Sequence, residues 1–216
     1  NVRFIYASSA ATYGAGENGY SDDESQLETL APLNLYGASK QWFDLWAKEE
    51  GALKEIVGLK FFNVFGPNEY HKEDMQSMIR KGFLQVRDSG ALNLFKSYKP
   101  GYSHGGQERD FLYIRDAVEM TLFFLDHQDI GGIFNVGSGK ARNWNDLASM
   151  IFKVMNKKVN INYIEMPESI REQYQYHTCA VMEKIRSVGY VENITSLEEG
   201  ISDYIKNYLI LDKHLA

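Results

Sequence analysis

Short apolar runs rich in β-branched and aromatic residues alternate along this chain with stretches that carry the period of a helix. Residues 2–7 (Val2-Arg3-Phe4-Ile5-Tyr6-Ala7), 56–62, 92–95, 111–114 and 160–165 read as strands, and 132–139 as a buried strand running into a turn. Between them, Tyr36, Lys40, Phe43 and Ala47 fall at i, i+4, i+7 and i+11 and predict a helix over 36–50, with Gly51 past its end. Further helices are predicted over about 74–88, from a cap at Asp116 to Leu125, and over 144–156. Ser196-Leu197-Glu198-Glu199 is a capping box that opens a last one. Strands that alternate with helices need crossover connections between parallel neighbours, so the expected fold class is α/β with a largely parallel sheet.

Composition excludes several alternatives. At 44% hydrophobic and 24% charged residues, the 216-residue chain is neither disordered, collagenous nor a coiled coil. A net charge of −6 argues against a nucleic-acid partner. The single cysteine, Cys179, cannot form an internal disulfide, and no Cys/His spacing suits zinc, so no metal is expected. The longest apolar stretches, such as residues 121–125, fall far below the ~18 residues of a membrane span. No leader pattern opens the chain, and its start at Asn1 suggests a piece of a longer protein; a cytoplasmic location is expected.

Gly14-Ala15-Gly16-Glu17-Asn18-Gly19 matches the spacing of a dinucleotide fingerprint. The mechanism of that motif needs a helix N-terminus directly after the glycines, whereas here Tyr20-Ser21-Asp22-Asp23-Glu24 follows, an acidic stretch that would repel a pyrophosphate. The segment therefore reads as part of a surface loop over 14–33. Tyr36-Gly37-Ala38-Ser39-Lys40 is Y-x-x-x-K, which sets a phenol and an ammonium on one helix face, where the cation favours a phenolate. Upstream, the first strand runs into Ser8-Ser9-Ala10-Ala11-Thr12-Tyr13-Gly14, which places hydroxyls at the carboxyl edge of a parallel sheet, where α/β ligands bind.

A strand ending in S-S-x-x-x-Y-G and followed by Y-x-x-x-K resembles the extended short-chain dehydrogenase/reductase family of nucleotide-sugar enzymes. The resemblance continues through Phe62-Asn63-Val64-Phe65-Gly66-Pro67, Arg109-Asp110-Phe111-Leu112-Tyr113-Ile114-Arg115-Asp116 and Phe134-Asn135-Val136-Gly137-Ser138-Gly139. It implies the C-terminal part of a Rossmann-type doubly wound sheet with a smaller α/β substrate-binding domain. Residues 1–67 would be the second half of the cofactor domain and 68–216 mainly the substrate domain, with 115–140 returning to the Rossmann sheet. The family's N-terminal glycine-rich loop does not occur in these residues.

By the same resemblance Ser9, Tyr36 and Lys40 are the catalytic Ser, Tyr and Lys. Gly66-Pro67-Asn68-Glu69-Tyr70-His71-Lys72 is similar to the turn of family members acting on an ADP-linked heptose, and it makes Lys72 a second acid/base. The implied reaction is epimerisation at C6″ through transient oxidation. The implied cofactor is NADP, with NAD as the alternative, contacted by Tyr36, Lys40, Val64 and Lys72. Substrate contacts are implied for Ser9, Asn63, Asp74, Lys81, Phe95, Lys96, Ser97, Tyr98, Arg109 and Tyr174, with Arg109 on the diphosphate; at Asp74 relatives carry Ser. A homo-oligomer is expected. Residues 70–115 hold eight basic side chains against five acids, which suits an anionic substrate. The competing readings are another nucleotide-sugar epimerase or a 4,6-dehydratase of the family, for which Ala10-Ala11 supplies no acid beside Ser9, and an inactive sugar-nucleotide-binding fragment.

Overall fold

The structure, a computed structural model, describes residues 2–214. In chain order the strands are β1 (Ile5–Ser9), β2 (Val57–Phe61), β3 (Asn63–Phe65), β4 (Leu92–Phe95), β5 (Glu108–Tyr113), β6 (Gly132–Val136), β7 (Ala141–Asn143) and β8 (Ile161–Ile164). The helices are α1 (Leu35–Glu49), α2 (Met78–Ser89), α3 (Ile114–Asp126), α4 (Trp144–Val154), α5 (Glu168–Arg171), α6 (Glu183–Ser187) and α7 (Leu197–Tyr204), the last continuing into a π-helical turn. Single 3-10 turns lie at Ala10–Tyr13, Glu24–Thr29 and Tyr70–Met75.

The α/β class holds. Strands β1, β2 and β6 form a parallel sheet in that order, with Ser9 opposite Phe61 and Phe61 opposite Val136 at its carboxyl edge. A second sheet has β5 between parallel β3 and antiparallel β7, and a third pairs β4 with β8 in parallel. Helix α3 buries Ala117, Met120 and Phe124 against Val57, Leu59, Phe134 and Val136 of the first sheet. Helices α2, α4 and α7 enclose a separate core of Ile79, Phe83, Ile151, Phe152, Ile201 and Tyr204 with Leu92 and Leu94 of β4. Alternation along β5 divides it between the two: Phe111 and Tyr113 join the second core and Leu112 the first.

Four local expectations need correction. The first strand begins at Ile5 rather than Val2 and runs on to Ser9, because Arg3 serves as an anchor: its guanidinium donates to the carbonyls of Glu55 (3.0 Å), Phe124 (2.9 Å) and Ile130 (2.6 Å). The strand placed at 111–114 is Glu108–Tyr113, and Ile114 already opens α3. The helix expected from 74 starts at Met78, because Glu73 has φ 46° and Gln76 is extended, and the Ser77 hydroxyl caps it by accepting from Arg80 N. Asp116 does not cap α3, whose cap position is Tyr113; its carboxylate instead accepts from Thr195 N (3.2 Å) and Thr195 Oγ1 (2.9 Å), tying down the approach to α7.

Candidate active site

The carboxyl edge of β1 is built for a hydroxyl. Ser9 ends the strand in extended conformation and caps the 3-10 turn that follows, its Oγ accepting from Ala11 N at 3.1 Å. With that lone pair used, the Ser9 proton is left to be donated. Helix α1 starts alongside, capped by Asn34, whose side chain accepts from Gly37 N at 2.8 Å. Gly37 is what permits this approach: a Cβ there would sit 2.8 Å from Ala11 O and 3.0 Å from a Pro32 carbon. Tyr36 thereby reaches the cleft from the first turn, 56% exposed, and Lys40 follows one turn later. Lys40 Nζ donates to Ala7 O at 2.8 Å and lies 5.8 Å from the Tyr36 ring centre.

Beneath this edge lies a fully buried ion pair. Lys60 of β2 meets Asp44 of α1 at 2.6 Å and also donates to Thr12 Oγ1 at 2.6 Å, while Thr12 donates to Ser9 O at 2.9 Å. Tyr6 OH (2.9 Å) and Ser8 Oγ (2.7 Å) donate to the same carboxylate. Burial lowers the Lys60 pKa, and Asp44 opposes that shift. Every charge in the group therefore has a partner, which is the condition for holding ions out of water.

The rest of the site is a cleft of about 910 Å³ running from this edge toward the second core. At Phe62 the chain leaves the first sheet for the second, so that residues 61–65 line the cleft, Asn63 and Val64 among them. Lys72 enters from the Tyr70–Met75 turn and Lys81 from α2, its Nζ donating to Asp74 O at 2.5 Å. Arg109 faces the cleft from β5, 7% exposed, its guanidinium 4.9 Å from the Tyr174 ring centre and 5.8 Å from that of Trp144. Among the described residues no carboxylate pairs with it, and the hydrogen bond it makes is to Glu108 O at 2.8 Å. Burial lowers its pKa, with Tyr174 opposing.

Of the residues singled out from the sequence, Ser9, Tyr36, Asn63, Val64, Lys72, Lys81, Phe95, Arg109 and Tyr174 line this one cleft. Lys40, Asp74, Lys96, Ser97 and Tyr98 do not, Lys40 lying one helical turn behind Tyr36 with its Nζ on Ala7 O. Lys96 pairs with Glu165 at 2.5 Å, the Tyr98 hydroxyl bonds to the same carboxylate, and Ser97 Oγ donates to Lys99 O at 3.2 Å. Sequence reasoning passed over Lys60, Asp44, Glu69 and Trp144. For the first two the available signal was a lone lysine inside an otherwise apolar strand and an acid one turn beyond Lys40. Trp144 was visible only as the start of a helix. Among the described residues no group of His, Cys, Asp or Glu could hold a metal, and no helix is long and apolar enough to cross a membrane.

Residues 1–137 match the model of the NAD dependent epimerase/dehydratase family. The chain is 52% identical over 208 residues to ADP-L-glycero-D-manno-heptose-6-epimerase of Nitratidesulfovibrio vulgaris (strain DP4), covering 96% of this chain and 64% of that protein. It is 47% identical to the protein of the same name from Fusobacterium nucleatum, covering 97% and 66%. The crystal structure of the Helicobacter pylori ADP-L-glycero-D-manno-heptose-6-epimerase superposes with a TM-score of 0.79 at 30% identity, over 95% of this chain and 59% of that one. The chain thus spans about two thirds of the length of the curated relatives it matches.

Proposed function

The chain belongs to the NAD dependent epimerase/dehydratase family, and from that membership we propose that the protein inverts C6″ of an ADP-linked heptose by transient oxidation and reduction at that carbon. The observation that carries this reading is the shared cleft: Ser9, Tyr36 and Lys72 line it together with Arg109, a buried cation with no carboxylate partner among the described residues. A diphosphate supplies the missing counter-charge, and a planar guanidinium beside the Tyr174 and Trp144 rings can bind it bidentately. Lys81 adds a second cation, and Asn63, Phe95 and Tyr174 complete the walls around the sugar nucleotide. Contacts of Lys96, Ser97, Tyr98 and Asp74 with the substrate are also part of this reading, although these four are not among the residues lining the cleft.

The carboxyl edge of the first sheet suits the nicotinamide end of a dinucleotide. Lys40 uses one donor on Ala7 O and keeps others for ribose hydroxyls, while Val64 and Tyr36 offer walls for the ring. NADP, or NAD in its place, would be held there by Tyr36, Lys40, Val64 and Lys72, and when bound it supplies the acceptor and donor of hydride. Ser9 donates its hydrogen bond to the reacting oxygen. Tyr36 removes the hydroxyl proton as the carbinol becomes a ketone. After the planar ketone turns over, its oxygen points elsewhere, and Lys72 returns a proton to it as the opposite configuration forms.

The test is to incubate the holoenzyme with an ADP-linked heptose in deuterium oxide and to follow C6″ by NMR. The expected product is the C6″ epimer with its original hydrogen retained, because that hydrogen leaves and returns as hydride. Deuterium at C6″, or loss of a hydroxyl as water, would exclude the reaction proposed.

A further inference from the structure

The turn that carries Lys72 has little of its own to hold it. His71, Lys72, Glu73, Asp74 and Met75 are all exposed, and Glu73 sits at φ 46°, a strained conformation for a residue with a side chain. Such a turn keeps one shape only when its surroundings over-determine it. Lys81 Nζ on Asp74 O and Gln76 Nε2 on Tyr70 O (2.9 Å) hold parts of it, and Glu69, at the head of the turn, is the buried residue that ties it to the second core.

Glu69 is 5% exposed. Its carboxylate accepts from Ser77 N (2.5 Å) and Ser77 Oγ (2.6 Å) at the cap of α2, and from Tyr204 OH (2.9 Å) at the end of α7. Its own carbonyl accepts from Lys72 N at 3.1 Å. Glu69 thus bonds to the backbone of the lysine on one side and to two helices of the second core on the other. Tyr70 adds a second hold, its hydroxyl donating to Lys213 O at 3.0 Å and its ring lying 4.3 Å beneath the Arg80 guanidinium. Glu69 also lines the cleft itself.

We propose that Glu69 is a positioning residue for Lys72: clamped between Ser77 and Tyr204, it fixes the exposed turn so that the Lys72 ammonium is held at the cleft that Tyr36 also lines. The inference rests on the reading of Lys72 as an acid/base. It assigns Glu69 and Tyr204 no contact with the reacting atoms. Their effect passes through the turn, and a displacement of about 1 Å at an acid/base is enough to lower a rate by about 10²-fold.

The experiment is a double-mutant cycle in the holoenzyme produced from its own gene, with kcat, KM and thermal midpoint read for each variant. Tyr204→Phe keeps the buried ring and removes only the hydroxyl, so it serves where Glu69→Gln disturbs folding. Either change should lower kcat by about ten- to 10²-fold with KM nearly unchanged. In a Lys72→Met background the same changes should lower kcat by no more than about twofold, since the group they position is gone. Equal falls in both backgrounds, or unchanged kcat when Lys72→Met is itself impaired, would overturn the role of Glu69. Full activity of Lys72→Met would overturn the reading of Lys72 instead.

Discussion

Arg109 and Asp110 are neighbours on β5 that face opposite ways. Asp110 points inward, where its carboxylate accepts from Ser138 N (2.7 Å), Ser138 Oγ (2.7 Å), Gly139 N (2.9 Å) and Ala180 N (2.9 Å). Burial raises its pKa and these donors oppose the rise, so Asp110 is read as an internal tie between the β6 turn and residues 178–180. Arg109 faces the cleft with no carboxylate partner among the described residues, and the diphosphate proposed to bind it would carry the same charge in ground and transition states. Arg109→Ala should therefore raise KM for the nucleotide sugar with a smaller change in kcat, read from steady-state kinetics. A large fall in kcat at constant KM would move Arg109 to the reacting carbon. Tyr36→Phe and Lys72→Met should each lower turnover by about 10²–10⁴, because one fixed base cannot serve a hydroxyl presented in two orientations. Retention of full turnover by either variant would remove that residue from the pair.

At the scale of the element, α1 shows what periodicity can and cannot tell. The spacing of Tyr36, Lys40, Phe43 and Ala47 indicates a helix, yet the buried stripe is Gly37, Gln41, Asp44 and Ala47, while Tyr36, Trp42, Phe43 and Trp46 face outward. The helix is seated by polar contacts beneath it, Asp44 on Lys60 above all, rather than by an apolar face. Lys60→Met should lower unfolding stability by about 3–5 kcal/mol, measured by urea denaturation, since it strands a buried carboxylate. Replacing both members, Lys60→Met with Asp44→Leu, should recover part of that loss, although Tyr6 and Ser8 then lack their acceptor. A single variant with an unchanged midpoint would show the pair to be hydrated rather than buried.

For the molecule as a whole, the cleft lies between the core under the first sheet and the core around α2, α4 and α7, with the break at Phe62 carrying the chain from one to the other. The glycines of 14–19 play no part in it. Gly14, Gly16 and Gly19 all have positive φ, and the next regular turn begins at Glu24 with Asp23 already accepting from Ser25 N. The N–H group there is occupied and the flanking charges are negative, so no pyrophosphate site forms. Residues 1–216 alone should accordingly bind NADP more weakly than micromolar in a calorimetric titration. Micromolar binding or tighter would return the fingerprint role to Gly14–Gly19.

The features legible in the sequence were those decided within a few residues of chain: the α/β alternation, the capping box at Ser196, and the motif positions that carry Ser9, Tyr36 and Arg109. Of the fourteen site residues named from the sequence, nine line one cleft. Hidden from the sequence were the contacts that set the cleft's working parts, because their partners lie far along the chain. Glu69 meets Tyr204 across 135 positions, and Tyr13 OH donates to Asn135 across 122. The start of α2 went astray for the same reason: helical period ran on through 74–77, but the Glu69 carboxylate draws Ser77 into a cap and the preceding turn into a strained shape. Local periodicity reports which conformation a segment favours. Which side chain of that segment is buried, and beside which charge, is settled only when distant segments compete for the same space and the same hydrogen bonds.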